Sequence, residues 1–354
     1  MTTACSTGRV LIRMIFVASL LLAFALLEGC YYMQAINGQM EVLRKRRPIA
    51  EVISDEDTDE ELRERLVLVQ EARRFAVDQL LLPENDSYLS YTDLEREFVV
   101  WNVFAAPEFS LTPKQWCYPV AGCVAYRGYF AEDKAARKAQ KLEKKGLDVY
   151  VGGVAAYSTL GRFDDPVLNT MMRWSAEYLV RTLFHELAHQ KLYVSGDTAF
   201  NESFASAVAE FGMQRWGQYS ELMPRPDDLG QHAALLQTVR QRVAKAREEL
   251  EGIYSSGASD EIMRSQKHAV LSKLSQDTQS KIDESGLSIQ NWLAPPLNNA
   301  RLASFGVYES NLPAFRAILK TCSNELACFY EQSSILADLD FDERQEQLTG
   351  LQFR

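Results

Sequence analysis

Two histidines four residues apart, His185 and His189, bracket a carboxylate in the run Phe184-His185-Glu186-Leu187-Ala188-His189. On a helix they project from one face, one turn apart, where two neutral imidazoles can grip a single Zn²⁺. Glu186 beside them can hold the proton of a water polarised by that ion. Catalytic zinc takes three protein ligands and keeps a fourth position open. Glu202, in Phe200-Asn201-Glu202-Ser203-Phe204-Ala205, fits the third place, with 12 residues between it and His189. The chain holds 4 histidines, two of them here. The pattern is that of a zinc hydrolase.

Two helices must position these groups. Asp164-Asp165-Pro166 is a helix start with Pro in the first turn, so the spacing predicts a long helix over about 167–193. Gly196 should be the left-handed residue past its end, and Asp197 or Thr198 the cap of a second helix carrying Glu202. Two other carboxylates compete, but Asp197 lies too near the turn and Glu210 two turns too far along. Small residues at Ala205, Ser206, Ala207 and Ala209 suit a close approach of the pair. Leu147 to Leu160 reads as a strand. Its Gly152-Gly153 permits close approach of another backbone, so Gly152 to Tyr157 is either an edge that takes an extended peptide as an added strand or an ordinary bulged hairpin strand.

His-Glu-Leu-Ala-His followed by Asn-Glu-Ser-Phe-Ala resembles the gluzincin metallopeptidases, whose third ligand is a Glu on the next helix. Asn201 to Ala205 looks most like the Asn-Glu-Gly-Phe-Ala of zinc aminopeptidases. Together with a lipoprotein-like start, the Cys-bounded stretch 117–130 and the segment 297–315, this core resembles a bacterial lipoprotein family described as "putative aminopeptidases" over most of the mature chain. The resemblance implies a gluzincin-like metallopeptidase core, a zinc cofactor and a peptide substrate. In that segment it also points to Tyr308 as donor to the oxyanion that forms when water attacks a carbonyl, with Asn298 or Asn299 holding substrate or loop. Tyr157 and Tyr193 compete for the oxyanion role. Two departures matter: the spacer before Glu202 is shorter than in the large aminopeptidases, and their amine-binding Gly-x-Met-Glu-Asn is absent. Glu177 or Asp164 could anchor the amine instead. An endopeptidase is therefore one alternative, and a non-catalytic envelope chaperone or assembly factor another.

The remaining chain sets the context. Its 38 basic and 48 acidic residues give a net charge of −10, and no basic stripe invites nucleic acid. Arg9 and Arg13 precede an apolar run, Met14 to Leu27, too short to span a bilayer comfortably. Leu27-Glu28-Gly29-Cys30 then reads as a lipobox, with residues 1–29 a signal peptide and Cys30 lipidated to tether the chain to a membrane, an uncleaved N-terminal anchor being the alternative. Tyr31 after that Cys favours the periplasmic face of the outer membrane. In an oxidising envelope, Cys117–Cys123 and Cys322–Cys328 are the simplest of three connectivities, with a Cys₄ zinc site the rival reading. A tether over 30–60 precedes one metallopeptidase domain, 61–354, expected to be mainly α with a small sheet (α+β). Helices are predicted over 61–82, 91–104 and 132–145, and a projecting helical hairpin over 228–284. His232 and His268, both in that hairpin, read as surface residues.

Overall fold

Apolar residues at helical spacing along 61–82 do form a helix. α3 (Glu60–Asp78) is capped by the Asp59 carboxylate and buries Leu66, Val69 and Phe75. The computed structural model describes residues 31–118, 122–156, 158–159, 161–220, 226–285, 297–309 and 311–352, with the side chains of 226–233 and 305–309 excepted. The described chain is mainly helical. Residues 31–44 form α1, followed by α2 (Ile49–Ser54); α4 (Glu132–Glu143) carries the predicted charged segment. α5 (Ala176–Lys191) and α6 (Thr198–Tyr219) form the central antiparallel pair. Behind this pair and α3 pack α10 (Leu312–Thr321), α11 (Leu326–Asp338) and α12 (Phe341–Gln352), sharing one core around Phe184, Phe204, Trp216, Phe315 and Phe329.

The strands are short. β1 (Arg47–Pro48), β2 (Ser90–Thr92) and β8 (Val167–Leu168) form one sheet, with β2 and β8 parallel. β3 (Val100–Pro107) lies between β6 (Tyr126–Tyr129) and β7 (Leu147–Val154), antiparallel to both. β4 (Trp116–Tyr118) and β5 (Gly122–Val124) make a ribbon closed by the Cys117–Cys123 disulfide. The second disulfide, Cys322–Cys328, staples α10 to α11.

Three expectations change. The predicted helix over 91–104 is instead β2 and the first half of β3. β3 is covered on both faces: Val103 and Ala105 pack on Ala135 and Leu142 of α4, whereas Phe104 and Ala106 pack on Ala300 of α9 (Asn299–Glu309). A strand buried on both sides shows no polar alternation, and its apolar run is easily read as a helix. The helix expected from 167 starts nine residues later, at Ala176, because Ser175 is its cap and accepts from Tyr178 N–H. Asp165 caps nothing; its carboxylate takes the amide and hydroxyl of Thr159, and Val167-Leu168 pairs with β2. The strand from 147 stops at Val154, and α5 ends at Lys191 rather than near Tyr193.

α7 (Pro226–Tyr254) and α8 (Asp260–Ser285) cover the 228–284 region as two long helices packed as a hairpin. They bury Val239, Val243 and Leu250 against Val270, Leu271 and Leu274, and Leu111 and Leu302 join the same cluster. Near its turn the hairpin is tied to the end of the β3–β7 ribbon: Lys267 pairs with Asp148 at 2.6 Å and Arg264 with Glu108 at 2.6 Å. Arg247 also donates to the Leu302 carbonyl, and His268 is exposed.

Candidate metal centre

α5 presents His185 and His189 on successive turns, and α6 returns alongside it. The connection is fixed twice over. Asp197 caps α6 by accepting from Phe200 N–H, and the Asn201 amide clasps both the N–H and the carbonyl of Val194 at 2.7 and 2.8 Å. Gly196 adopts φ +85° here, as expected, and Gly122 of the disulfide ribbon lies so close that a Cβ on it would stand 2.6 Å from Gly196 N. Farther along the pair, a Cβ on Gly212 would meet Phe184 at 2.8 Å and Leu80 at 2.7 Å, so a glycine is what lets α6 close on α5.

This closure brings Glu202 to the histidines. His185 Nε2 lies 3.1 Å from His189 Nε2 and 3.2 Å from Glu202 Oε2, and His189 Nε2 lies 3.7 Å from Glu202 Oε2. Ligands held about 2.0–2.2 Å from a tetrahedral ion stand roughly 3.3–3.6 Å apart, so the three donors fit one zinc-sized ion, and together they could hold a metal. The two rings meet edge to face, and His189 Nδ1 has no hydrogen-bond partner among the described residues, leaving packing to orient that ring.

The electrostatics are those of a buried charge cluster. Burial pushes the Glu202 carboxyl up, but the His189 charge and hydrogen bonds from both histidines outweigh it and carry it down to about 2. For His189 burial favours the neutral ring, whereas Glu202 and then Glu186 pull its pKa above the ordinary value. Glu186 is itself buried, and that burial raises it above the usual carboxylate range, with Glu202 adding to the rise and both histidines opposing it.

The other expected residues are distributed as follows. Gly152 and Gly153 lie on β7, paired with Asn102 and Trp101, and β7 is an edge strand among the described residues. The close neighbour at Gly153 is the Phe98 ring, 2.4 Å from a built Cβ, rather than another backbone. Asn298 donates to the Val149 carbonyl on the free side of β7. Asn299 is fully buried; it donates to the carbonyls of Pro107 and Glu108 and accepts from Tyr254. Both asparagines thus make hydrogen bonds to the β3–β7 ribbon. Tyr308 lies on α9, three residues before Asn311, whose N–H donates to Ser203 beside Glu202; its side chain is outside the described part. Tyr157, Cys30 and the signal segment also lie outside it, and so does the His232 side chain. Asp164 is exposed, Glu177 half-buried, and Glu210 pairs with arginines two turns beyond Glu202.

Sequence spacing missed Tyr126. It sits on β6, and its hydroxyl is raised by burial and then by the charges of Glu202, Tyr193 and Glu186, which marks it as a neighbour of the cluster. Tyr193 is likewise raised by burial and by Glu202. Asp165 is a second unforeseen neighbour: burial lifts it to about 6, with Glu186 contributing and Thr159 opposing. No local signal could reveal these residues, because strands and loops far away in sequence deliver them.

A helix pair whose side chains converge as two imidazoles and a carboxylate, with a further buried carboxylate on the same turn, defines a protein that could bind a metal. The chain belongs to the family described as "Putative aminopeptidase", whose model matches residues 30–348. No curated protein and no solved structure matches it.

Proposed function

We propose that this protein is a zinc-dependent peptidase, acting as an aminopeptidase on peptides in the bacterial envelope. The observation that carries the reading is the 3.1–3.7 Å convergence of His185, His189 and Glu202, with buried Glu186 beside it. Zinc, when bound by these three ligands, would lower the pKa of water and polarise a peptide carbonyl. Glu186 takes the proton of the attacking water and hands it to the leaving amine. Burial, the largest influence on Glu186, favours its protonated form, which suits a group that must carry a proton to the leaving amine. A tyrosine hydroxyl donates to the developing oxyanion; Tyr308 is the expected donor, and Tyr126 and Tyr193 are favoured as alternatives by their electrostatic coupling to Glu202. Peptide lies along the β7 edge near Gly152 and Gly153, steadied at its border by the segment that Asn298 and Asn299 hold.

The lipobox ending at Cys30 supports a lipid anchor on the periplasmic face of the outer membrane, and the two disulfides suit an oxidising compartment. The test is hydrolysis of aminoacyl-amide reporters beside N-acetylated peptides of matched sequence by the purified zinc-loaded protein. Cleavage of free-amine substrates alone is expected. Cleavage of the blocked peptides would make it an endopeptidase, and cleavage of neither would favour the assembly-factor reading.

A further inference from the structure

One turn before His185, on the same face of α5, stands Arg181. Its guanidinium carries five N–H donors, yet among the described residues it makes no hydrogen bond; its partner is Glu210 Oε1 at 3.7 Å, an ion-pair contact only. Glu210 is already occupied. Arg316 of α10 grips both its oxygens at 2.9 Å, and Arg240 of α7 approaches at 3.4 Å. A single carboxylate therefore faces three guanidinium groups drawn from three other helices, in a chain whose net charge is −10. The Arg181 side chain is 25 % exposed and that of Arg316 48 %, so the cluster is open to a ligand.

Its position relative to the metal centre follows from helix geometry. At a rise of about 1.5 Å per residue, Arg181 lies about 6 Å along α5 from His185, and Glu210 about 12 Å along α6 from Glu202. An extended peptide advances about 3.3 Å per residue, so two to four residues bridge these distances. Guanidinium is the side chain best matched to a carboxylate, which it can hold through two parallel hydrogen bonds.

We propose that Arg181, with Arg316 and Glu210 holding its surroundings, receives the free C-terminal carboxylate of a short peptide whose scissile carbonyl lies at the metal centre. The proposal rests on the peptidase reading and narrows it to peptides with about two to four residues beyond the cleaved bond. Glu210 keeps the arginines gathered without satisfying Arg181, and the substrate's carboxylate supplies the missing hydrogen bonds.

The test compares three tetrapeptides with the zinc-loaded protein: a free acid, its C-terminal amide, and the same amide carrying a Glu side chain at the last position. It is run for wild type, Arg181→Gln and Arg181→Lys. A parallel calorimetric titration uses the free acid and the amide of a peptide whose first amide is reduced to CH₂–NH and cannot be cleaved. Wild type should favour the free acid over the amide about 10- to 100-fold in kcat/KM and in affinity, as one charge-assisted contact warrants. Arg181→Gln should erase the preference while sparing the amide, and Arg181→Lys should restore part of it. Preference for the Glu side chain over the terminal carboxylate would overturn the terminal assignment. Equal treatment of acid and amide by wild type, or equal loss on both in Arg181→Gln, would overturn the site itself and leave the peptidase standing. If wild type cleaves no peptide, the peptidase reading falls, and the calorimetric preference still decides whether Arg181 is a carboxylate receptor.

Discussion

Glu186 and Glu202 are both buried carboxylates within one cluster, and their surroundings drive them in opposite directions. Glu202 is drawn down by two imidazoles at contact distance, as a ligand must be, whereas burial prevails at Glu186. A Glu186→Gln variant should therefore keep its zinc, measured by metal analysis of the purified protein, and lose about 10²- to 10⁴-fold in hydrolysis. Turnover at the wild-type rate would remove Glu186 from the mechanism. Asp165 offers a prediction with a definite sign. Its carboxyl ordinarily titrates at 3.8 and does so at about 6 in the fold, so the folded state holds a proton that the unfolded state releases between these values. The stability Asp165 contributes is complete below 3.8 and is lost as pH rises through about 6. In the metal-free protein, the stability of wild type relative to Asp165→Asn should fall by about 2–3 kcal/mol between pH 4 and pH 6.5 and stay level above that. Denaturant titrations across that range measure it, and a flat difference would show the carboxyl to be ordinary.

The α5–α6 pair was legible in the sequence because every signal for it is local. The spacing of His185 and His189, the Asp197 cap, Gly196 and the small residues of α6 all act within a turn or two. Elements whose character depends on distant partners were not. β3 lost its alternation to helices on both faces, and Asp165-Pro166 resembled a helix start although its carboxylate belongs to the Thr159 loop. The same limit hid the support for α6 contributed by α12, whose Arg344 donates to Asp197 at 2.9 Å, with the two side chains 5 % and 2 % exposed. Arg344 also holds the carbonyls of Ala337 and Leu339, so it connects the last two helices to the cap that begins the Glu202 helix. Removing one member of a buried pair strands the other charge, and Arg344→Ala should cost about 3–5 kcal/mol. Because Glu202 lies five residues past that cap, zinc affinity should fall as well, under conditions where the variant is still folded. Lower stability with unchanged affinity would confine Arg344 to the scaffold.

For the whole molecule, the composition, the mainly helical class and the two disulfide pairs could be read in advance, because local cysteine spacing and periodicity carry them. The way the pieces meet could not, since it depends on tertiary contacts such as Lys267 with Asp148 and Asn311 with Ser203. The proposed anchor concerns the whole chain: Cys30→Ser should move the protein from the membrane fraction to the soluble one while its hydrolysis in detergent is unchanged, and persistent membrane association would indicate an uncleaved anchor. A second consequence links the compartment to the chemistry. The Cys117–Cys123 ribbon is linked to the core through β6 and also touches the α5–α6 connection, where Gly122 abuts Gly196 and Ser195. Its disulfide closes a seven-residue loop and removes about 2–3 kcal/mol of chain entropy from the unfolded state, which favours the closed ribbon that abuts the turn between His189 and Glu202. A Cys117→Ala, Cys123→Ala double variant should accordingly bind zinc about tenfold more weakly than wild type. Changing the other pair, Cys322 and Cys328, should lower the unfolding midpoint with affinity preserved, because that staple lies between α10 and α11, away from the ligands. Equal loss of affinity in both variants would mean that the disulfides act through global stability alone, and that the ribbon has no particular hold on the metal centre.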